Sequence, residues 1–153
     1  METLDRIVAE HAFFAGLESY YLSLLVGCAS NVRFDVGAYL FKEGEEANEF
    51  YLIRAGKVAV EVFAPQHEPI IVSTLGAGDI LGWSWLVPPY HWRFHARAVE
   101  ATRAFALDGK CLRTKCEQNH DLGYELLKRF AQVIEKHLVE AHYQLVEVSA
   151  AGR

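Results

Sequence analysis

Two kinds of hydrophobic spacing divide the chain into three stretches. Over residues 31–108, short runs rich in Val, Ile, Tyr and Phe are separated by glycine-containing turns, which is typical of an all-β barrel, roll or sandwich. On either side, apolar residues recur at helical intervals. We therefore expect one domain over residues 1–153, with N-terminal helices in 1–30, a β-roll in 31–108 and C-terminal helices in 109–148.

The central stretch predicts eight short strands. In one of them Val58, Val60 and Val62 alternate with Lys57, Ala59 and Glu61, as expected for a strand with two different faces. The predicted strands are Val32–Phe34, Tyr39–Phe41, Phe50–Arg54, Lys57–Phe63, Pro69–Leu75, Ile80–Leu81, Phe94–Val99 and Arg103–Leu107.

The flanking stretches predict four helices. Glu2–Ala9 has weak helical spacing, and Leu17–Ser30 carries a clearer apolar stripe. Gly109–Asn119 reads as a short helix. Asp121 is a plausible N-cap for a second C-terminal helix, which runs to about Val148.

The last helix carries a heptad pattern. Its apolar residues are spaced 4, 3, 4, 3, 4, 3, which is a strong coiled-coil signal. The alternative is a helix packed along its own roll, but a helix of this length outruns so small a roll, and we favour a dimer seam and a homodimer. The seam residues are Leu127, Ala131, Ile134, Leu138, Ala141, Leu145 and Val148.

Composition narrows the class of protein. The net charge is −5 and the basic residues form no long run, which argues against a nucleic-acid-binding chain. No apolar run approaches the roughly 18 residues of a membrane helix, and Met1 is followed by acidic residues rather than a secretory signal. Cys28, Cys111 and Cys116 lack the spacing of a disulfide framework. We expect a reducing, cytoplasmic location and no membrane contact.

Three phrases resemble the cyclic-nucleotide-binding domain of the catabolite-activator and fumarate–nitrate regulator superfamily. They are FDVGAYLFKEGE at 34–45, FYLIRAGKV at 50–58 and LGAGDILGW at 75–83, and they stand in the family's order. The resemblance implies a double-stranded β-helix, a jelly-roll-like β-roll, with a long C-terminal dimerisation helix. The family's transcription factors continue into a winged helix-turn-helix, whereas five residues follow Val148 here, so we expect no direct DNA binding.

The third phrase resembles the entry to the family's phosphate-binding cassette. There the resemblance implies backbone N–H groups and an arginine for a cyclic phosphate, and a glutamate after the cassette glycine for the ribose. Gly82 matches the glycine, but Trp83 stands where the glutamate is expected. The arginine's usual place falls on Trp92, with Arg93 one residue away.

The strand after the cassette bears on the missing arginine. On one strand Arg93, His95 and Arg97 share a face, while Phe94 and the small residues beyond it take the inner one. We therefore interpret Arg93 as the better anion partner and Arg97 as a surface or dimer-facing group. The candidate ligand-binding residues are Gly82, Trp83, Ser84, Trp85, Arg93 and Arg97.

All three tryptophans of the chain lie within ten residues, at positions 83, 85 and 92. Their rings either fill the pocket that a cyclic nucleotide would occupy, or form an aromatic site that stacks a planar ligand or anchors a partner. The candidate ligands are accordingly a cyclic nucleotide or an NAD(P)-type dinucleotide. The sequence leaves these alternatives open.

The chain carries no catalytic or metal-binding signature. Nucleophile-elbow, Walker and dinucleotide-fingerprint motifs are absent from the sequence, and no cysteine or histidine spacing suits zinc, so we expect neither an enzyme nor a metal site. The leading hypothesis is a dimeric, non-catalytic regulatory module whose degenerate cassette does not bind cyclic AMP in the usual way.

Two other functions stay open at this point. The phrase GWSWL at 82–86 resembles stand-alone domains associated with bacterial NAD(P)-linked nickel–iron hydrogenase operons, which implies an accessory subunit of a larger redox enzyme. A weaker alternative is a dimer partner of a full-length regulator, paired through the same heptads.

Overall fold

The roll consists of two four-stranded antiparallel sheets with a shared core. The computed structural model describes residues 11–151. The first sheet has the order β1 (Ala29–Phe34), β8 (Thr102–Asp108), β3 (Glu49–Ala55), β6 (Ile80–Leu81). The second has the order β2 (Tyr39–Phe41), β7 (His95–Ala98), β4 (Lys57–Val62), β5 (Ile70–Gly76). All eight predicted strands and the predicted roll are confirmed.

The core between the sheets combines large and small side chains. Val58 and Val60 of β4 point inward, as their alternation predicts, whereas Val62 lies exposed at the end of its hairpin. Ala96 of β7 and Ala106 of β8 are buried in the same core. Because alanine takes little volume, these positions leave room for aromatic rings from the loops.

Strands β3 and β8 are buried on both faces. On β3, Tyr51 and Ile53 face the interior of the roll, and Phe50 and Leu52 face the helices outside it. The alternation of side chains along a strand places two separate clusters on the two sides of one sheet. The outer cluster is completed by the C-terminal helices.

Within residues 11–151, three helices flank the roll: α1 (Ser19–Val26), α2 (Gly109–Gln118) and α3 (His120–Ala151). Two 3₁₀ turns, Ala12–Phe14 and Ser84–Leu86, complete the described structure. The inward stripe of α3 buries Leu122, Leu126 and Phe130 completely. Their packing against the outer face of the first sheet fixes the direction in which the rest of α3 projects.

Two helix boundaries differ from the prediction. The helix expected over Leu17–Ser30 is shorter, because Ala29 and Ser30 pair with β8 and start β1 instead. Asp121 is not the N-cap of α3. It lies in the first turn, and the side chain of Asn119 accepts the hydrogen bond from Leu122 N–H at 3.2 Å. The helix predicted at Glu2–Ala9 lies outside the described residues.

Two of the three cysteines form a disulfide, although their spacing is not that of a disulfide framework. Cys28 and Cys111 are bonded, with their Cα atoms 5.9 Å apart, and Cys116 is a free thiol. The two partners are separated by 83 residues along the chain. Local cysteine spacing carries no information about such a contact, because the roll brings its two ends together.

Between residues 11 and 151, no helix has both the length and the apolar composition needed to cross a membrane. Over the same residues, no three His, Cys, Asp or Glu side chains come together in a way that would hold a metal ion.

Gly56 is a steric requirement of the turn between β3 and β4. Its φ is +103°, and a Cβ built there would lie 2.5 Å from the carbonyl oxygen of Ala101 and 2.6 Å from Oγ1 of Thr102. Gly44 has a similar φ of +91° but open space around it. We expect Gly44→Ala to lose about 1–2 kcal/mol through backbone strain. Gly56→Ala should lose about 1–3 kcal/mol more of the free energy of unfolding than Gly44→Ala, because the neighbouring backbone must also move.

Chemical unfolding of the two variants, with circular dichroism as the readout, measures this difference. Equal free energies of unfolding for Gly56→Ala and Gly44→Ala would contradict the steric account.

Candidate functional site

The segment between β6 and β7, residues 82–94, is called here the cassette loop. It leaves β6 at Gly82, forms the 3₁₀ turn Ser84–Leu86 and returns through Pro88 and Pro89 to β7. The N–H groups of Leu86 and Val87 bond within the loop, to the carbonyl oxygens of Trp83 and Ser84 at 3.0 and 3.3 Å.

Trp92 occupies the interior of the roll. Its ring stacks on Phe41 with centroids 3.6 Å apart and planes 8° from parallel, and it is 4% exposed. The backbone N–H of Trp92 donates to Glu45 at 2.9 Å, and its carbonyl oxygen accepts from Gly44 N–H at 2.8 Å. These two bonds hold the backbone so that the indole points inward.

Gly82 makes room for this ring. A Cβ at residue 82 would lie 2.6 Å from Cη2 of Trp92, and the φ of Gly82 is +97°. Any residue other than glycine is therefore disfavoured at position 82 for two reasons: the positive φ strains its backbone, and its Cβ would clash with the indole of Trp92. The cassette glycine here supports an aromatic ring.

Trp83 closes the interior on the side of the long helix. Its ring meets His137 of α3 edge to face at a centroid distance of 4.8 Å, and it lies 5.3 Å from the ring of Phe94. Trp83 packs against both hydrophobic clusters and so bridges the roll and the helix. Burial lowers the pKa of His137 below its ordinary value, which keeps its imidazole neutral beside the indole.

Trp85 belongs to the outer cluster. It is fully buried, with its ring 5.2 Å from Phe50 and 5.4 Å from Phe130. Its carbonyl oxygen accepts a hydrogen bond from the guanidinium of Arg113 on α2, which also lies 4.2 Å above the ring of Tyr90. One arginine therefore ties α2 to two points of the cassette loop, Trp85 and Tyr90.

The two predicted arginines lie outside the roll. Arg97 pairs with Glu61, Nε to Oε1 at 3.0 Å, and the carboxylate is almost fully buried under it. Arg93 is exposed, and the buried Trp92 and Phe94 on either side of it point the opposite way. Arg93, which the sequence suggests as the better anion partner, therefore points away from the interior of the roll, because the alternation of inner and outer side chains continues through Trp92.

The six candidate ligand residues thus fall into three groups. Gly82 and Trp83 adjoin the interior together with Trp92, while Ser84 and Trp85 are buried beneath the loop. Arg93 and Arg97 lie on the outer surface. Sequence analysis missed Phe41, His137 and Arg113. His137 was detectable, because it continues the inward stripe of α3 through Phe130 and Val133.

A small cleft lies beside this interior, at the junction of the N-terminal turn, the β5–β6 turn and α3. Its volume is about 180 Å³, and its polar lining comes from His11, Asp79, Lys136, His137 and Glu140. His11 donates from Nε2 to the carbonyl oxygen of Gly78 at 2.7 Å and accepts at Nδ1 from Phe13 N–H at 3.0 Å. Burial lowers the pKa of His11, which agrees with this neutral tautomer.

The predicted heptad seam forms an exposed apolar stripe on α3. Leu127, Leu138, Leu145 and Val148 are each more than half exposed, and Ala131 and Ala141 are exposed between them. Ile134 is half-buried. The helix packs on its own roll through a different stripe, which includes Gln144, the donor of a hydrogen bond to the carbonyl oxygen of Val72. The seam is therefore left uncovered by residues 11–151.

Comparison with known proteins agrees with this geometry. Residues 31–119, more than half of the chain, match the cyclic nucleotide-binding domain family. The CRP-like cAMP-activated global transcriptional regulator of Mycobacterium tuberculosis is 26% identical over 133 residues, which are 87% of this chain and 59% of the regulator. The chain therefore spans less than two thirds of that relative's length.

Solved structures share the fold. A protein from Geobacter metallireducens GS-15, described as a cyclic nucleotide-binding protein, has a TM-score of 0.78 and 28% identity, covering 90% of this chain and 99% of that one. The catabolite activator protein of Thermus thermophilus has a TM-score of 0.70 and 22% identity, covering 90% of this chain and 62% of that one. Since the family match takes in β2 to β8 and most of β1, the chain belongs to the cyclic nucleotide-binding domain family, alongside the CRP-like regulators.

Proposed function

We propose that this chain is a non-catalytic regulatory module whose ligand pocket is filled by its own side chains and which acts as a dimer through α3. The observation that carries the proposal is the Trp92–Phe41 stack in the interior of the roll. In such a module the signal is a change of protein contacts around the cassette loop and α3.

The charges at the cassette do not suit a cyclic phosphate. A buried phosphate needs a cation and several N–H donors, because an unpaired charge is costly to remove from water. Within residues 11–151, the buried polar or charged side chains are Glu61, Ser84 and Thr102, and none of them is cationic. Trp83 and Trp92 stand where the resemblance implies the ribose acceptor and the phosphate arginine, and each presents a ring to the interior.

The exposed seam on α3 supports a dimer with a second copy of the chain. Seven apolar positions at heptad spacing run along one stripe, from Leu127 to Val148. Alanine at two of them allows two helices to approach closely, and the large residues would fill the facing holes. A symmetric pair covers the same stripe on both copies, which a single roll leaves in water.

The role of an accessory subunit in an NAD(P)-linked redox enzyme remains a second hypothesis. Its dinucleotide-binding form is disfavoured, because Trp85 and Trp92 are buried and offer no free ring face for stacking. Its partner-binding form depends on exposed surface, which the outer side of the second sheet and the end of α3 both supply.

We expect titration calorimetry of the purified protein with cyclic AMP and cyclic GMP to give no binding at millimolar nucleotide, since the interior is filled. NAD(H) and NADP(H) are the matched probes for the second hypothesis. Micromolar binding of a cyclic nucleotide would overturn the filled-pocket proposal, and binding of a dinucleotide would favour the redox subunit.

Substitutions at two neighbouring residues test which side chain points into the roll and which lies on its surface. Trp92→Ala should lower the free energy of unfolding by about 3–5 kcal/mol, because a stacked, buried ring leaves a cavity. Arg93→Ala, one residue along, should change it by about 0.5 kcal/mol or less, since its side chain is exposed. Urea unfolding measures both, and similar losses for the two variants would contradict this arrangement.

The dimer is tested by a charge in the seam. We expect light scattering after size exclusion to give a dimer for the wild type and a monomer for Leu138→Glu, because two carboxylates would face each other in an apolar seam. Val139→Glu is the control, since Val139 is also exposed but lies on the side of α3 away from the seam. A monomeric wild type at tens of micromolar protein would rule out the proposed dimer.

A further inference from the structure

We propose that the Cys28–Cys111 disulfide is a reversible redox site, opened by a dithiol reductant, and that its state sets how firmly α2 holds the cassette loop. This inference does not depend on whether the pocket binds a nucleotide. It depends on where the two sulfur atoms are attached and on what else α2 contacts.

One half of the disulfide is anchored to the roll. Cys28 lies between α1 and β1, and its carbonyl oxygen accepts a hydrogen bond from Asp108 N–H at 2.8 Å. Its own N–H donates to the carbonyl oxygen of Leu25 at 3.0 Å. Its side chain is 8% exposed. The sulfur atom of Cys28 is therefore a fixed point at the end of the first sheet.

The other half is attached to a helix that supports the cassette loop. Cys111 lies in the first turn of α2, two residues before Arg113, which bonds to Trp85 and lies over Tyr90. Gly109 starts the same helix against the loop, because a Cβ there would lie 2.9 Å from Cβ of Trp85. The first turn of α2 thus contacts both the disulfide and the cassette loop.

The remaining contacts of α2 would survive reduction. Leu112 is fully buried, and the ammonium of Lys115 donates to the carbonyl oxygen of Leu24 at 2.8 Å. Asp108 caps the helix by accepting from the N–H groups of Lys110 and Cys111. Opening the disulfide therefore loosens α2 without unfolding the domain, which is the behaviour required of a switch.

The bond is open to exchange from two sides. Cys111 is partly exposed, and Cys28 lines a cleft of about 330 Å³ together with Glu49, Asp108 and Lys110. One thiolate of the reductant attacks Sγ of Cys111, and the Cys28 thiolate leaves and takes a proton from water. The second thiol of the reductant then displaces Cys111. Two electrons and two protons pass to the cysteine pair, and the dithiol becomes a disulfide.

The third cysteine supplies a control. Cys116 lies on α2 near Gly123 of α3, and burial raises the pKa of its thiol. A thiol that stays protonated is a poor nucleophile. Cys116→Ser should therefore keep the disulfide and its redox behaviour.

The experiment equilibrates the purified full chain in mixtures of oxidised and reduced dithiothreitol without denaturant. Free thiols are counted by maleimide labelling and mass spectrometry, and amide hydrogen exchange is followed in residues 83–90 and 109–118. We expect one free thiol when oxidised and three when reduced, with exchange in both segments roughly tenfold faster or more in the reduced protein. The Cys28→Ser and Cys111→Ser variants should show the same fast hydrogen exchange in both segments as the reduced wild type.

Three results would overturn the proposal: three free thiols in the oxidised buffer, a disulfide that is reduced only in denaturant, or exchange in residues 83–90 that is identical in the two states. If either serine variant fails to fold, the wild type in its two redox states still provides the full comparison.

Discussion

The face-to-face contact of Trp92 and Phe41 determines how the middle of the roll is built. The indole lies directly against the backbone of Gly82, so the loop must leave β6 through a glycine with positive φ. The same ring lies in the interior of the roll, and the alanines of β7 and β8 leave space for it. Trp83 then closes the interior against His137 of α3. The packing of one side chain thus links the loop, both sheets and the long helix.

Local sequence features were sufficient for the roll. Each strand is short and has a recognisable alternation or apolar run, and glycine marks several of the turns between strands, as at Gly56. The apolar stripe on α3 could also be predicted from the sequence, because heptad spacing depends only on residues in neighbouring helical turns. The cap of α3 was misplaced by two residues, since Asn119 and Asp121 are both good capping residues and only the break after α2 selects Asn119.

The parts that escaped sequence analysis depend on contacts distant in the chain. Arg93 and Trp92 are neighbours, and which of them faces inward depends on the pairing of residues 44–46 with 91–92 rather than on residue type. Cys28 and Cys111 meet because β1 and α2 start at the same end of the first sheet. Arg113 could not be assigned to the loop, because an arginine on a short helix is most often solvated.

The clustering of the tryptophans has a spectroscopic consequence. All three indoles of the chain lie in the cassette loop, and each has a different environment. Trp85 is fully buried, and its ring N–H has no partner among residues 11–151. Trp92 is stacked on a phenyl ring, and Trp83 touches an imidazole. Intrinsic fluorescence excited at the indole band therefore originates from this one segment. The protein carries a label-free optical probe of its own cassette loop, and single Trp→Phe replacements would assign each component of the emission.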